Sequence, residues 1–465
     1  MQLVCAHTFM GRYAKDQGNE EARELSNKFT RSNRGLWTFD DYPMLKDWLE
    51  ENTAGIDLLG EAVRKPAFRI PYTRENENVP IHDACLFLNE IQMMRVWARA
   101  VQARAYYRLG IGDIDGAIDD KMTVLHLGRH AGKQGTLSVA LFGIAIEGVG
   151  YAIGIGSNPE FPPTKEQIER LVTELDALPP RMILNETLKT ERLFGLAGFQ
   201  DIYWGNVGDP PLDPYWARSV LGKLLPHMGW SFDITVLLER ANQIYDVMIM
   251  IAEGKTIEGR ELEDNLKLSS RNPLAFLFAR SRTIRFVDQI STIPSVGVGV
   301  MQETWHRAEC TDNLQRLTIA LLLYEQEHGK MPEGNEDDDW REAIRPYLGA
   351  DADKYFRCPS YPELAEGETT YAMIRRESGE IAVPAPNTLL LVEVHPPMKL
   401  FGEGNGTISA ATARLGINRR DDARQFLEGI GSYHSGGVNT GLRSGGVSFH
   451  TESMSPEYLQ QLTSK

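Results

Sequence analysis

Between about residues 20 and 290, apolar positions recur with a helical period. Phe87, Ile91, Met94, Trp97, Val101 and Tyr106 step by three to five residues, which puts one apolar stripe on a helix running to Leu109. Gly110 and Gly112 end that helix and Asp113 is placed to cap the next, in which Ala117, Met122, Leu125 and Leu127 continue the pattern. A third helix is predicted over 136–155, where Gly143, Gly148, Gly150 and Gly154 lower helix propensity but let neighbouring helices come close. Further helices are predicted over 165–178, 184–203, 234–252 and 274–290, punctuated by Pro162-Pro163, Pro179-Pro180 and Pro210-Pro211.

The pattern breaks at 291–300, a small-residue stretch without charge that contains Pro294 and reads as a linker or a loose first turn. Trp305, Ala308, Leu314, Leu317, Leu321 and Tyr324 then line one helical face, closed by Gly329 and Pro332. Beyond it, short runs at 355–358, 370–374, 381–383, 389–394, 438–442 and 447–450 alternate with turn residues and predict strands. The expected fold class is therefore α+β. It divides into a helical segment over 1–85, a helical bundle over 86–290, a linker over 291–300 and an α+β domain over 301–465.

A chain of 465 residues has room for two or three cores, and 42% apolar with 24% charged residues is an ordinary globular balance. The net charge of −15 argues against a nucleic-acid partner, which needs a basic footprint, and against docking on anionic lipid. The opening Met1-Gln2-Leu3-Val4-Cys5 lacks the basic and apolar regions of a signal peptide. The longest apolar run, 139–155, carries Glu147 at its middle, so it is read as a buried helix and no transmembrane segment is expected in this chain. An anchor outside it stays open. Four cysteines, Cys5, Cys85, Cys310 and Cys358, do not fix the redox compartment.

Several words in the chain carry resemblances. Residues 105–117, with Tyr106, Leu109-Gly110 and Ala117, look like one tetratricopeptide hairpin, but no second copy follows at the repeat period. Gly112-Asp113-Ile114-Asp115-Gly116-Ala117, Gly143-Ile144-Ala145-Ile146-Glu147, Leu175-Asp176-Ala177-Leu178-Pro179-Pro180 and Glu191-Arg192 make 95–200 similar to an uncharacterised planctomycete and verrucomicrobial family. Near the end stand Tyr433-His434-Ser435-Gly436-Gly437-Val438-Asn439 and Ser444-Gly445-Gly446-Val447-Ser448-Phe449. Cys310-Thr311-Asp312-Asn313-Leu314, Trp340, Arg357-Cys358-Pro359-Ser360, Thr370-Tyr371-Ala372 and Leu390-Leu391-Val392-Glu393-Val394 precede them. Together these resemble the planctomycete pseudopilin-like family over about 309–454, with its spacing of nine residues between His434 and the next motif kept but its Asp replaced by Ser444. The resemblance implies a pilin-head module, one long helix followed by an antiparallel meander, and an envelope or periplasm-like location, with the cytoplasm as the alternative. It brings no activity, ligand or cofactor. A helical domain, not an assembling hydrophobic tail, precedes the head.

Candidate chemistry is sparse. His126 and His130 are four apart and share a helix face, as zinc ligands do, but no recognised ligand pattern surrounds them. His306 and Cys310 are also four apart; on the pilin-like helix Cys310 falls near the sheet, which favours a structural thiol or a disulfide to Cys358 over a nucleophile. Glu393, His434 and the Ser444 position are all expected on strands of the head. If those strands are adjacent, Glu393 and His434 form an ion pair or a small metal site, with a hydrogen-bonded structural histidine as the default. Ser444 removes the strongest calcium ligand. The acidic stretches 336–339 and Asp351/Asp353 lack the EF-hand order, and no nucleophile elbow, phosphate loop, dinucleotide fingerprint or zinc-protease motif is found.

No catalytic residue and no cofactor are therefore expected, and His126, His130, Glu393 and His434 are the weak metal candidates. The function expected is a non-enzymatic cell-envelope interaction or scaffolding protein with a protein partner. A metal-dependent or other hydrolase and a secretion-system pseudopilin subunit are the alternatives.

Overall fold

The computed structural model describes residues 35–68, 88–133, 135–203, 234–253, 279–332, 339–361, 368–375, 385–399, 407–419 and 429–463. Among the described residues seven helices come first: α1 (Met44–Val63), α2 (Leu88–Gly110), α3 (Ile114–Gly132), α4 (Leu137–Tyr151), α5 (Lys165–Asp176), α6 (Leu184–Tyr203) and α7 (Ile234–Ala252). Local chemistry sets several of their ends. Gly112 takes a positive φ of 82° after α2, and the Asp113 side chain accepts from Gly116 N at the start of α3. Thr164 and Gln167 close a reciprocal capping box on α5.

The glycines of α4 serve close packing. A Cβ built on Gly143 would lie 2.5 Å from Gly132 N, so only glycine lets α4 cross α3 at this distance. Glu147, on the same helix, is buried and bound by Arg181 at 2.6 Å and Arg129 at 3.2 Å. No described helix is long and apolar enough to cross a membrane.

Helix α8 (Ala279–His328) has 50 residues, about 75 Å of rise, and touches both halves of the molecule. It stays helical through 291–300, so the stretch expected to be a linker is the middle of a helix. A proline removes one intrahelical bond, and Pro294 is flanked by many turns on either side.

After α8 come α9 (Trp340–Ile344), two 3-10 turns (Arg345–Tyr347 and Ala352–Phe356), then β1 (Glu368–Arg375), β2 (Leu389–Lys399), β3 (Thr407–Ser409), α10 (Ala410–Ala413), β4 (Gly437–Leu442), β5 (Val447–Thr451) and α11 (Pro456–Thr463). The strand expected over 355–358 is replaced by the Ala352–Phe356 turn, which sets Phe356 edge-on to Trp340. The strand expected over 381–383 lies outside the described residues. The other four expected strands, joined by the unexpected β3, form a sheet in the order β3-β1-β2-β4-β5. It is mixed, not a pure antiparallel meander, because β3 pairs parallel with β1. The fold class is α+β, mostly helical.

One core runs through both halves, joining Leu125, Ile155 and Ile168 to Leu317, Leu321, Leu391 and Val447. Polar contacts lock the same seam. Lys121 Nζ donates to Gln315 Oε1 (3.0 Å), Gln315 Nε2 donates to Gly445 O (2.7 Å), and Gly156 N donates to Ser444 O (2.8 Å). Tyr151 Oη reaches Asp312 Oδ1 at 2.6 Å.

Candidate functional site

Where α8 lies on the sheet, four potential ligand atoms lie within 4.8 Å of one another: Cys310, Cys358, Glu393 and His434, all buried. Each comes from a different element. Cys310 faces the sheet from α8. Cys358 follows the Ala352–Phe356 turn, and its N–H donates to Thr370 Oγ1 (2.7 Å), which ties it to β1. Glu393 lies on β2 opposite Tyr371, and Asn439 of β4 grips both of its oxygens, N to Oε2 at 2.7 Å and Nδ2 to Oε1 at 3.1 Å. His434 precedes β4 in a turn where its N–H donates to Ser432 Oγ and Gly436 takes a φ of 83°.

The distances inside the cluster are short. Cys310 Sγ and Cys358 Sγ are 3.1 Å apart, as two free thiols. Cys358 Sγ is 3.6 Å from His434 Nε2, which is 3.3 Å from Glu393 Oε1. On its other side the imidazole meets Glu303 of α8, with Nδ1 to Oε1 at 2.6 Å. Ser360 Oγ donates to Glu303 Oε2 (3.3 Å) and contacts His306 Nδ1 (3.1 Å).

These contacts set the charges. The hydrogen bond from Cys310, aided by His434, pulls the Cys358 thiol down to about 6 against the effect of burial. Burial works against a charged His434, but its bonds to Cys358, Glu303 and Glu393 win and push it up to about 12. Burial drives the Cys310 thiol well above its ordinary value. Burial also opposes ionisation of Glu303, yet the neighbouring imidazole brings its carboxyl below the usual range. These contacts favour a charged sulfur on Cys358 and a charged imidazole on His434, with Glu303 and Glu393 beside the ring. Chemically, the set can hold a borderline-soft divalent cation, or close its two sulfurs into a disulfide.

The sequence expectations fare differently. Glu393 and His434 are brought together, as are Cys310 and Cys358, and the four form one cluster. Ser444 is placed elsewhere: it docks against Gly154 and Gly156 in the seam between the halves. His126 and His130 stay on α3, their ring centroids 6.4 Å apart, with His130 Nε2 at 2.7 Å from Val63 O. Among the described residues no third ligand joins them. Glu303 was not anticipated. Its signal is its position seven residues before Cys310, about two turns along the same helix face.

Comparison with known proteins finds no family model, no curated protein and no solved structure that matches this chain.

Proposed function

We propose that this chain is a non-enzymatic interaction or scaffolding protein of the cell envelope, with a protein as its partner. One observation carries the reading: the cluster of Cys310, Cys358, Glu393 and His434 is sealed, its members no more than 4% exposed. A general base or nucleophile must come within hydrogen-bond reach of a substrate. These side chains spend their reach on one another, between a helix and a sheet. Such a centre serves to fix the two layers, and the shared core extends that rigidity to the helical half. The envelope setting rests on the likeness of the head to pseudopilin-like proteins.

The test has two arms. The full chain is assayed against general esterase, phosphatase, peptidase and glycosidase substrates, alone and with divalent metals. It is also crosslinked in its native envelope fraction, and any captured protein is purified and re-bound. The expected result is no turnover and a saturable complex with a defined protein. Turnover that disappears in His434→Ala would overturn the reading.

A further inference from the structure

We propose that Cys310, Cys358, Glu393 and His434 bind one structural divalent cation of the zinc class, with Glu303 fixing the imidazole from behind. The inference goes beyond the scaffold reading and does not depend on it.

Geometry is the first support. A tetrahedral zinc with sulfur at about 2.3 Å and nitrogen or oxygen at about 2.0–2.2 Å keeps its donors about 3.3–3.8 Å apart. Cys358 Sγ to His434 Nε2 is 3.6 Å and His434 Nε2 to Glu393 Oε1 is 3.3 Å. The sulfurs, 3.1 Å apart, have to open by about 0.7 Å, and all four donors already lie within 4.8 Å of one another, so small side-chain shifts complete the tetrahedron.

The donor types are the second support. Two sulfurs and an imidazole, which give up their protons as the metal binds, select a borderline-soft metal and reject magnesium and calcium, which take oxygen shells. Four protein donors with no open position describe a closed, structural site, as the burial of all four requires.

The surrounding contacts are the third, and they separate a metal site from a mere pair of thiols. A metal-bound histidine gives its other N–H to a carboxylate, which sets the tautomer and aims the free nitrogen at the metal. Glu303 Oε1 stands 2.6 Å from His434 Nδ1, so Nε2 is the nitrogen that faces the two sulfurs and Glu393. Asn439 N–H holds Glu393 Oε2 at 2.7 Å and its Nδ2 donates to Oε1 at 3.1 Å, which fixes the carboxylate with Oε1, and its second lone pair, on the ligand side. A disulfide would use Cys310 and Cys358 alone and would need none of this. Sequence spacing hides the site because its ligands come from α8, a turn, β2 and a second turn.

The test starts with full-length protein purified without chelator and without an immobilised-metal column. Metal content by mass spectrometry of digested protein, and intact mass under native conditions, should show about one zinc per chain. Cobalt(II) added to metal-stripped protein should give the thiolate charge-transfer and tetrahedral ligand-field bands. Cys358→Ser and His434→Ala should lose the stoichiometric metal, and His126→Ala should keep it. Glu303→Gln should still bind, with zinc affinity lowered about 10–100-fold in competition with a chromophoric chelator. Three results would overturn the proposal. One is a native mass two hydrogens light with Cys310 linked to Cys358. Another is two free thiols with no zinc uptake and no cobalt spectrum. The last is metal retained after both ligand substitutions. The cobalt spectrum is read on the unaltered chain, so a variant that fails to fold does not decide the matter.

Discussion

Glu303 Oε1 lies 2.6 Å from His434 Nδ1, joining the long helix to the turn before β4 by a charge-assisted hydrogen bond. His434 is almost wholly buried, so removing the acceptor strands an N–H that water cannot reach. Glu303→Ala should lower stability by about 1–3 kcal/mol, read from the denaturant midpoint, and Glu303→Gln should recover part of it. Equal stability of all three proteins would show that the contact holds nothing in place.

Glu147 carries a second buried tie. It answers two guanidiniums, Arg181 at 2.6 Å and Arg129 at 3.2 Å, with 3% of its side chain exposed. Glu147→Gln keeps the shape and removes the charge, leaving two buried cations with Asp312, 3.5 Å from Arg129, as the carboxylate they share. Breaking one side of a buried pair costs about 3–5 kcal/mol, so thermal unfolding should move down by many degrees. A loss below the ~1 kcal/mol typical of exposed pairs would mean that water reaches the network.

Much of the helical half was legible because its signals are local. The glycine at position 112, the Asp113 cap and the period of α2 and α3 act within a few residues. The pairing of Cys310 with Cys358, and of Glu393 with His434, was legible once a helix-on-sheet head was expected. The contribution of Glu303 was not, because a glutamate on a helix face reads as solvated until His434 arrives from another part of the chain. Residues 291–300 read as a linker on composition, whereas the helix continues through them. The three-residue β3 offers too short a pattern to read. Ser444 read as a lost ligand, but its surroundings are set by Gly154 from the other half.

Lys121 makes the stability of the seam depend on pH. Its ammonium is fully buried against Gly150 O (3.1 Å), Ile153 O (2.8 Å) and Gln315 Oε1 (3.0 Å), none of them charged. Burial pushes it down to about 7 from the ordinary lysine value of 10.5. Below about pH 7 both states hold the proton and the burial penalty is fully present. Between there and 10.5 the unfolded chain binds more protons than the folded one, so stability attributable to this group rises with pH, by at most about 1.4 kcal/mol per unit. Urea midpoints of the unaltered chain and Lys121→Met, taken from slightly acid to alkaline pH, should converge or cross in that sense. Parallel curves would show that the buried amine does not titrate there.

The contact between Gly154 and Ser444 tests whether the two halves fold as one body. A Cβ added at Gly154 would lie 2.3 Å from Ser444 Oγ, 2.6 Å from its Cβ and 2.9 Å from its carbonyl oxygen. The serine side chain is too short to swing away, so either the β4–β5 turn or the 152–156 turn has to retreat. That would stretch the 2.8 Å bond from Gly156 N to Ser444 O. Gly154→Ala should therefore cost about 1–3 kcal/mol, as overpacking does. Ser444→Gly in the same chain removes two of the three close contacts, so the double variant should regain stability, with a coupling of about 0.5 kcal/mol or more. Gly148→Ala is the control. Nothing lies within 4 Å of its added Cβ, so it should be neutral or gain up to about 1 kcal/mol from helix propensity. If Gly154→Ala and Gly148→Ala behave alike, the seam is loose and the helical half does not brace the head. If the double variant recovers, the seam is a packed interface, and a force applied to the head reaches the bundle through it.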